Sequence, residues 1–108
     1  DEKKLQIHSM KNIFEHKIEN ICDAVMEKIR TWPSVYLSID IDAVDPAFAP
    51  GTGYREPGGL TSRELIYFIQ RLMKIKNIKM IDIVEVNPSL DVADLTSKLA
   101  AKLMTELI

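Results

Sequence analysis

The stretch YLSIDIDAVDPAFAPGTG, residues 36–53, joins a strand-like apolar run to a loop rich in proline and glycine. The run carries two carboxylates, Asp40 and Asp42, at its end. Side chains two apart share one face of a strand, so a strand over residues 35–42 predicts that Ser38, Asp40 and Asp42 point the same way. Two neighbouring carboxylates raise each other's pKa unless a cation neutralises them. The stretch therefore predicts either a metal site with hard oxygen ligands or two aspartates that accept loop amide hydrogen bonds.

Hydrophobic periodicity predicts the elements on either side of this stretch. A helix is expected over residues 11–30. Its predicted inward stripe comprises Phe14, Ile18, Ile21, Cys22, Val25, Met26 and Ile29. Residues 5–7 are typical of a short strand, and residues 79–86 of a second buried strand. Thr61 and Glu64 form a capping-box pattern, which predicts that a helix begins there, between the two longer strands.

A further helix is expected near the end of the sequence. Asp91 is placed to cap it, and its expected inward residues are Leu95, Leu99, Leu103 and Leu107. Residues 43–60 form a long loop, and loops of this length are usually functional when they are flanked by regular elements. A strand, a crossover helix and a second strand imply parallel pairing with helices covering the sheet. The predicted fold class is therefore α/β.

Composition narrows the class of protein. The 108 residues suit one domain or a piece of a larger one, and 46% hydrophobic residues favour a globular chain. A net charge of −2 gives no reason to expect nucleic acid or an anionic membrane as a partner. The single cysteine, Cys22, excludes an internal disulfide. No signal peptide or membrane span is evident, so we expect a soluble, cytoplasmic protein.

Three separated motifs, SIDIDAVDPAFAPGTG, EPGGLTSREL and DIVEVNPSLD, follow one another in this sequence. In this order they resemble the ureohydrolase family, which includes arginase and agmatinase. The resemblance runs from about residue 36 to the end. It implies that residues 1–108 are the C-terminal part of one ureohydrolase domain, with a three-layer α/β/α arginase-like fold and parallel strands. The EPGG run is more similar to agmatinases, whereas Tyr54 and Arg55 replace the Thr-Pro often found in the family.

The resemblance also implies a site. Asp40 would bridge two manganese ions, Asp42 would bind one of them, and Glu85 would receive the substrate guanidinium through paired hydrogen bonds. The implied reaction is metal-assisted hydrolysis of a small guanidino compound to urea and an amine, and agmatine is the first choice of substrate. We expect Asp45 to cap the loop rather than bind metal. Arg55 either meets a substrate carboxylate, which would favour arginine or another guanidino acid, or is a solvated loop residue.

The other metal ligands of the family come from an upstream histidine and an Asp-x-His-x-x-x-Asp stretch, which this sequence lacks. Its only histidines, His8 and His16, are expected to be solvated surface residues. We therefore assign no catalytic residue and expect the isolated chain to be inactive. We also expect the parent enzyme to be a homo-oligomer. Hard cations need about six ligands, and two carboxylates alone should hold manganese poorly.

Two hypotheses from other classes remain open. An apolar strand ending in Asp-x-Asp also suits a sugar-nucleotide-binding module, in which the carboxylates hold a metal-bound diphosphate, although this leaves EVNP unexplained. The third hypothesis is a non-catalytic α/β interaction module, whose unpaired strand edges would promote self-association.

Overall fold

The computed structural model describes residues 5–108. Three helices and two strands follow in the order α1 (Met10–Ile29), β1 (Val35–Asp40), α2 (Ser62–Leu72), β2 (Ile78–Val84) and α3 (Leu95–Glu106). Two 3-10 turns, Ile41–Ala43 and Pro88–Leu90, follow the strands. This alternation confirms the predicted α/β class.

The two strands pair in parallel, as the strand–helix–strand order predicted. Leu37 lies opposite Ile81 and Ile39 opposite Ile83, and these apolar residues contact the helices. Neighbouring elements in the helical layer are in contact, α1 with α2 and α2 with α3. The opposite face of the sheet carries Tyr36, which is 59% exposed. Residues 5–108 therefore supply a sheet with helices on one face.

The predicted stripe of α1 was wrong at Phe14, whose side chain is 86% exposed. Lys17 interrupts the helix with φ 68° and ψ 147°, so the residues before and after it do not share one helical phase. Ile13 is the buried residue before the break, and Ile18 and Ile21 are buried after it. A continuous 3.6-residue period therefore does not describe this helix.

The capping box of α2 forms as predicted. The Thr61 hydroxyl accepts from the Glu64 amide at 3.0 Å, and the Glu64 carboxylate accepts from the Thr61 amide at 2.9 Å. In α3, Leu99 and Leu103 are buried as expected. The prediction was wrong for Leu95, which is the first residue of the helix and is 43% exposed.

Residues 43–60 form an ordered loop that closes on itself. The Asp45 amide donates to the Leu60 carbonyl at 2.7 Å, and the Leu60 amide donates to the Ala43 carbonyl at 2.9 Å. Val44 and Ala49 are almost fully buried, so the loop has its own packed interior. A compact loop with adjacent ends is an Ω-loop, a type that is frequently functional.

Residues 5–7 do not form the predicted strand. Leu5 and Ile7 are largely exposed, and no strand lies beside them among residues 5–108 to accept their backbone hydrogen bonds. Within the same part of the chain, none of the helices is long and apolar enough to cross a membrane.

Candidate metal and substrate site

The predicted site residues lie at one end of the sheet. Asp40 is the last residue of β1 and pairs in register with Val84, the last residue of β2. Asp42 follows β1 by two residues, and Glu85 follows β2 directly. Parallel pairing therefore brings all three carboxylates to the carboxyl end of the two strands. Ligand sites of open parallel sheets lie at this end.

The prediction that Asp42 continues the strand alternation of Ser38 and Asp40 was wrong. The strand ends at Asp40, and a 3-10 turn begins with the next residue. The cause is local, since the Oδ1 atom of Asp40 accepts from the Asp42 amide at 2.9 Å and thereby caps the turn. Both carboxylates remain beside the strand end, but a turn rather than a strand sets their relative placement.

The Asp42 side chain shows an unpaired polar atom. Its Oδ1 atom is buried and has no hydrogen-bond partner among the described residues. A buried carboxylate oxygen without a partner loses its hydration without compensation, which is costly unless a cation or donor occupies the position. Asp40 is exposed and uses one oxygen for the turn. Carboxylate oxygens are the donors that manganese prefers, so this pair fits the predicted metal.

Glu85 differs from its predicted setting. It was expected to share a strand face with Ile81 and Ile83, but β2 ends at Val84 and the Glu85 side chain is exposed. Its backbone adopts φ 75°, a left-handed conformation that is rare for a residue other than glycine. Such strained residues cluster at ligand sites, where the surrounding structure holds them in place.

A polar cluster that sequence reasoning missed lies beside Asp40 on the exposed face of the sheet. Asp82 accepts hydrogen bonds from the hydroxyls of Ser38, at 2.6 Å, and Tyr36. These bonds lower the pKa of Asp82, with the Ser38 bond the larger cause. The hydrogen bond from Tyr36 to Asp82 raises the pKa of Tyr36. The cluster depends on the register that places Ser38 opposite Asp82, which spacing along the sequence does not reveal.

Asp45 caps the long loop, as predicted. Its Oδ1 atom accepts from the Ala47 amide at 2.9 Å, and its Oδ2 atom accepts from the amides of Gly58 and Gly59 at 2.8 and 3.2 Å. The Ala47 and Gly58 bonds are the main cause of the lowered pKa of Asp45. All these donors are backbone groups of the loop, so the carboxylate holds the loop closed.

Three hydrogen bonds fasten the loop after β1 to the segment after β2, and we call this set the latch. The Gly51 carbonyl accepts from the Asn87 amide at 2.7 Å, and the Gly51 amide donates to the Thr96 hydroxyl at 2.7 Å in a buried position. The third bond runs from Arg55 Nη2 to the Leu90 carbonyl at 2.7 Å. The latch fixes the loop that follows Asp42 against the segment that follows Glu85.

Arg55 is exposed, in agreement with the prediction of a solvated loop residue, and its guanidinium also binds backbone carbonyls. Its Nε atom donates to the Pro50 carbonyl at 2.6 Å, and its Nη2 atom belongs to the latch. The guanidinium therefore joins two loops through backbone carbonyls. The sequence could not indicate these two contacts, because the acceptors are backbone carbonyls, which every residue carries.

Asp91 caps α3 from outside the helix. Its carboxylate accepts from the amides of Thr96 and Ser97 at 3.0 and 2.9 Å, which confirms the predicted capping, although Asp94 occupies the position before the helix. Desolvation raises the pKa of Asp91, but the hydrogen bonds led by Ser97 outweigh it, and the pKa lies well below the ordinary value. The same carboxylate lies against Gly51, where an added Cβ would be 2.8 Å from Asp91 Cγ.

The histidines do not complete a metal site. His16 is exposed on α1, as predicted, while His8 is half-buried. Within residues 5–108, no three side chains of the His, Cys, Asp and Glu types come together as a potential metal site. Asp40 and Asp42 therefore remain two predicted ligands, without a third from the described part of the chain.

Carboxylates at the carboxyl ends of two parallel strands define the class as an α/β protein with a candidate metal site. Comparison with known proteins then identifies the family. A sequence model of the Arginase family matches residues 1–108, and the chain belongs to this family. This confirms the resemblance to ureohydrolases.

Individual relatives agree with this assignment. The chain is 45% identical over 86 residues to proclavaminate amidinohydrolase from Streptomyces clavuligerus, with 80% of this chain and 27% of that protein covered. It is 41% identical over 85 residues to agmatinase from Bacillus subtilis, with 78% and 29% covered. The arginase structure from Bacillus caldovelox matches with a TM-score of 0.92 and 33% identity, covering 98% of this chain and 36% of that one. The fold is therefore arginase-like, and the chain spans about a third of its relatives' length.

Proposed function

We propose that this chain is the C-terminal segment of a ureohydrolase that hydrolyses a small guanidino compound to urea and an amine. Agmatine is the first choice of substrate. The observation that carries the proposal is the buried, unpaired oxygen of Asp42 at the carboxyl end of β1, within an Arginase-family motif. Relatives named agmatinase, arginase and proclavaminate amidinohydrolase support this reaction class. A sugar-nucleotide module would leave Glu85 and the EVNP motif without a role.

Asp40 and Asp42 would hold the manganese ions. When bound, the metal would supply Lewis-acid activation of the attacking water. The chain's own contribution is to present two carboxylates beside a strand end that is fixed by the turn hydrogen bond of Asp40. The Ser38–Asp82 bond adds a second constraint on the same strand face.

Glu85 would bind the substrate guanidinium. A carboxylate accepts two parallel hydrogen bonds from a planar guanidinium, which fixes both the distance and the orientation of the cation. The left-handed backbone of Glu85 and the Asn87–Gly51 bond two residues later hold it near the strand end. Its role is positioning of the carbon to be attacked, which lowers the entropic part of the barrier.

Agmatine is placed before guanidino acids because the EPGG run is more similar to agmatinases and because relatives named agmatinase match this chain. A guanidino acid substrate needs a cationic partner for its carboxylate, and Arg55 was the candidate near the site. Its Nε and Nη2 atoms donate to the carbonyls of Pro50 and Leu90, which holds the guanidinium against these two loops. The second candidate is arginine or another guanidino acid, supported by the arginase relatives.

The isolated chain should be inactive, because two carboxylates supply too few ligands for a binuclear site. Urea release from agmatine with added manganese is the measurement. Turnover by the 108 residues alone would refute this part of the proposal.

The reaction class is tested by joining this chain to the part of Bacillus subtilis agmatinase that it does not match. We expect manganese-dependent urea release, faster from agmatine than from arginine. Glu85→Gln should lower kcat/KM for agmatine by at least about a hundredfold, because a charged bidentate partner is lost. Glu56→Gln, at an exposed loop position, is the matched control and should leave kcat/KM within about twofold. Equal losses in the two variants would contradict the role of Glu85.

A further inference from the structure

Asp82 carries a negative charge that no cation in residues 5–108 balances. Its side chain is half-buried in the middle of β2. Carboxylates are seldom buried without a partner of opposite charge, because the charged form loses hydration. The ion pairs among residues 5–108 lie elsewhere and join Arg30 to Glu27, Arg71 to Asp23 and Lys102 to Glu106. The charge of Asp82 is therefore free to act on a cation bound nearby.

Two hydroxyl groups of β1 hold this carboxylate in place. The Ser38 hydroxyl donates to Asp82 Oδ1 at 2.6 Å, and the Tyr36 hydroxyl donates to Asp82 Oδ2. Both bonds favour the charged form, and they lower the pKa of Asp82. Because both donors belong to β1, the charge is fixed relative to the strand that ends in Asp40.

The Asp82 carboxylate lies on the same face of the sheet as the Asp40 side chain. Ser38 and Asp40 are two residues apart on β1, and Asp82 pairs with Ser38 one step before Asp40 pairs with Val84. Side chains at diagonal positions of paired strands are about 7–8 Å apart. This separation is no longer than the screening length of about 8 Å at physiological ionic strength, so the charge of Asp82 acts on a cation held at Asp40.

Asp82 does not join Asp40 and Asp42 as a third ligand, because no three side chains of the His, Cys, Asp and Glu types come together within residues 5–108. We propose that Asp82 is a positioning residue of the manganese centre, which strengthens cation binding at Asp40 and Asp42 through its fixed charge and through its bonds to β1. The inference rests on the proposed function, since it requires a cation at these two aspartates. Groups outside the ligand set typically change metal affinity by about 10–100-fold.

Asp82→Asn removes the charge and keeps the shape of the side chain. The asparagine Oδ1 atom can accept from Ser38, and its amide nitrogen can donate to the Tyr36 hydroxyl, so the strand pair should remain intact. The protein to be measured joins this chain to the part of Bacillus subtilis agmatinase that it does not match. We expect equilibrium dialysis of the metal-free joined protein to show at least about a tenfold loss of manganese affinity in the variant. The kcat at saturating manganese should stay within about threefold, because excess metal refills the site.

A purely structural role of Asp82 makes different predictions. If Asp82 only held the two strands together, Asp82→Asn would bind manganese as tightly as the native protein, and this result would overturn the proposal. Urea unfolding without metal is the second measurement, and the midpoints of the two proteins should agree. A variant that binds less manganese and also unfolds at a lower urea concentration would likewise overturn it.

Two sets of variants serve as controls. Glu15→Gln removes the same charge at an exposed position of α1, in the helical layer on the other face of the sheet, and should leave manganese affinity within about twofold. An equal loss in Glu15→Gln and Asp82→Asn would contradict a local effect. Ser38→Ala removes one bond that fixes the Asp82 carboxylate and should weaken manganese binding, whereas Ser38→Thr keeps the hydroxyl and should restore it. Equal affinities of these two variants would contradict the part assigned to Ser38.

Failure of this inference and failure of the proposed function give different results. Manganese binding that is weakened by Asp82→Asn in a joined protein without agmatine hydrolysis would support the inference and contradict the substrate. Agmatine hydrolysis with unchanged manganese affinity in Asp82→Asn would contradict the inference alone. A joined protein that binds manganese no more tightly than the isolated chain would refute the metal site and the inference together.

Discussion

Replacing Gly51 by alanine tests the contact between the long loop and the cap of α3. An added Cβ at this position would lie 2.8 Å from Asp91 Cγ and 2.9 Å from Asp91 Cβ and Oδ1. Asp91 has little freedom to move, because its carboxylate accepts hydrogen bonds from the amides of Thr96 and Ser97. The substitution therefore forces the loop away from α3 or breaks the cap.

The expected change in the free energy of unfolding follows from two opposing effects. An overpacked contact costs about 1–3 kcal/mol, and a Gly→Ala change at a compatible backbone position returns about 0.4–1 kcal/mol by restricting the unfolded chain. Gly51 has no positive φ, so the second effect applies in full. We expect Gly51→Ala to lower the free energy of unfolding by about 1–2 kcal/mol, or the Tm by about 5–10 °C for a domain of this size.

Gly53→Ala provides the matched control, because an added Cβ there would meet no atom within 4 Å and its φ is likewise not positive. This variant should be neutral or more stable by up to about 1 kcal/mol. Urea unfolding followed by far-ultraviolet circular dichroism measures both variants. If Gly51→Ala were as stable as Gly53→Ala, the inferred contact with Asp91 would be refuted.

Substitutions at three further positions probe the latch and the cap. Thr96→Val leaves the buried Gly51 amide without an acceptor and should cost about 1–3 kcal/mol in urea unfolding, while Thr96→Ser should recover most of the loss. Arg55→Gln removes two hydrogen bonds at an exposed side chain and should cost less than about 1 kcal/mol; a loss above about 2 kcal/mol would contradict this assignment. Asp91 has a pKa below its unfolded value of about 3.9, so its stabilisation is complete above about pH 5 and is lost as the pH falls toward the folded pKa. The native chain should consequently lose more stability between pH 5 and pH 3 than Asp91→Asn, and parallel urea midpoints over this range would contradict the role of Asp91.

Local sequence was sufficient for those features whose partners lie close along the chain. The Thr61–Glu64 capping box joins residues three apart, and Asp45 binds the amide of Ala47 two residues later, so both were predicted. The parallel pairing of β1 and β2 followed from the helix between them. These predictions needed only propensity, spacing and the geometry of one crossover.

Other features were missed because a single local interaction changed the backbone. The Asp40 carboxylate captures the Asp42 amide and ends the strand two residues earlier than predicted. Lys17 interrupts the period of α1, so Phe14, which precedes the break, does not share the phase of the buried residues after it. Periodicity assumes an uninterrupted element, so one side-chain cap or one non-helical residue changes the phase between the residues on its two sides.

By itself, the sequence determined the α/β class, the helix between two parallel strands, and the collection of Asp40, Asp42 and Glu85 at the carboxyl ends of those strands. The tertiary structure alone decided that the Asp42 oxygen is buried without a partner and that Arg55 binds carbonyls. The physical reason is distance along the chain. Burial and the bond from Arg55 to residue 90, 35 residues away, exist only after the loops close on one another.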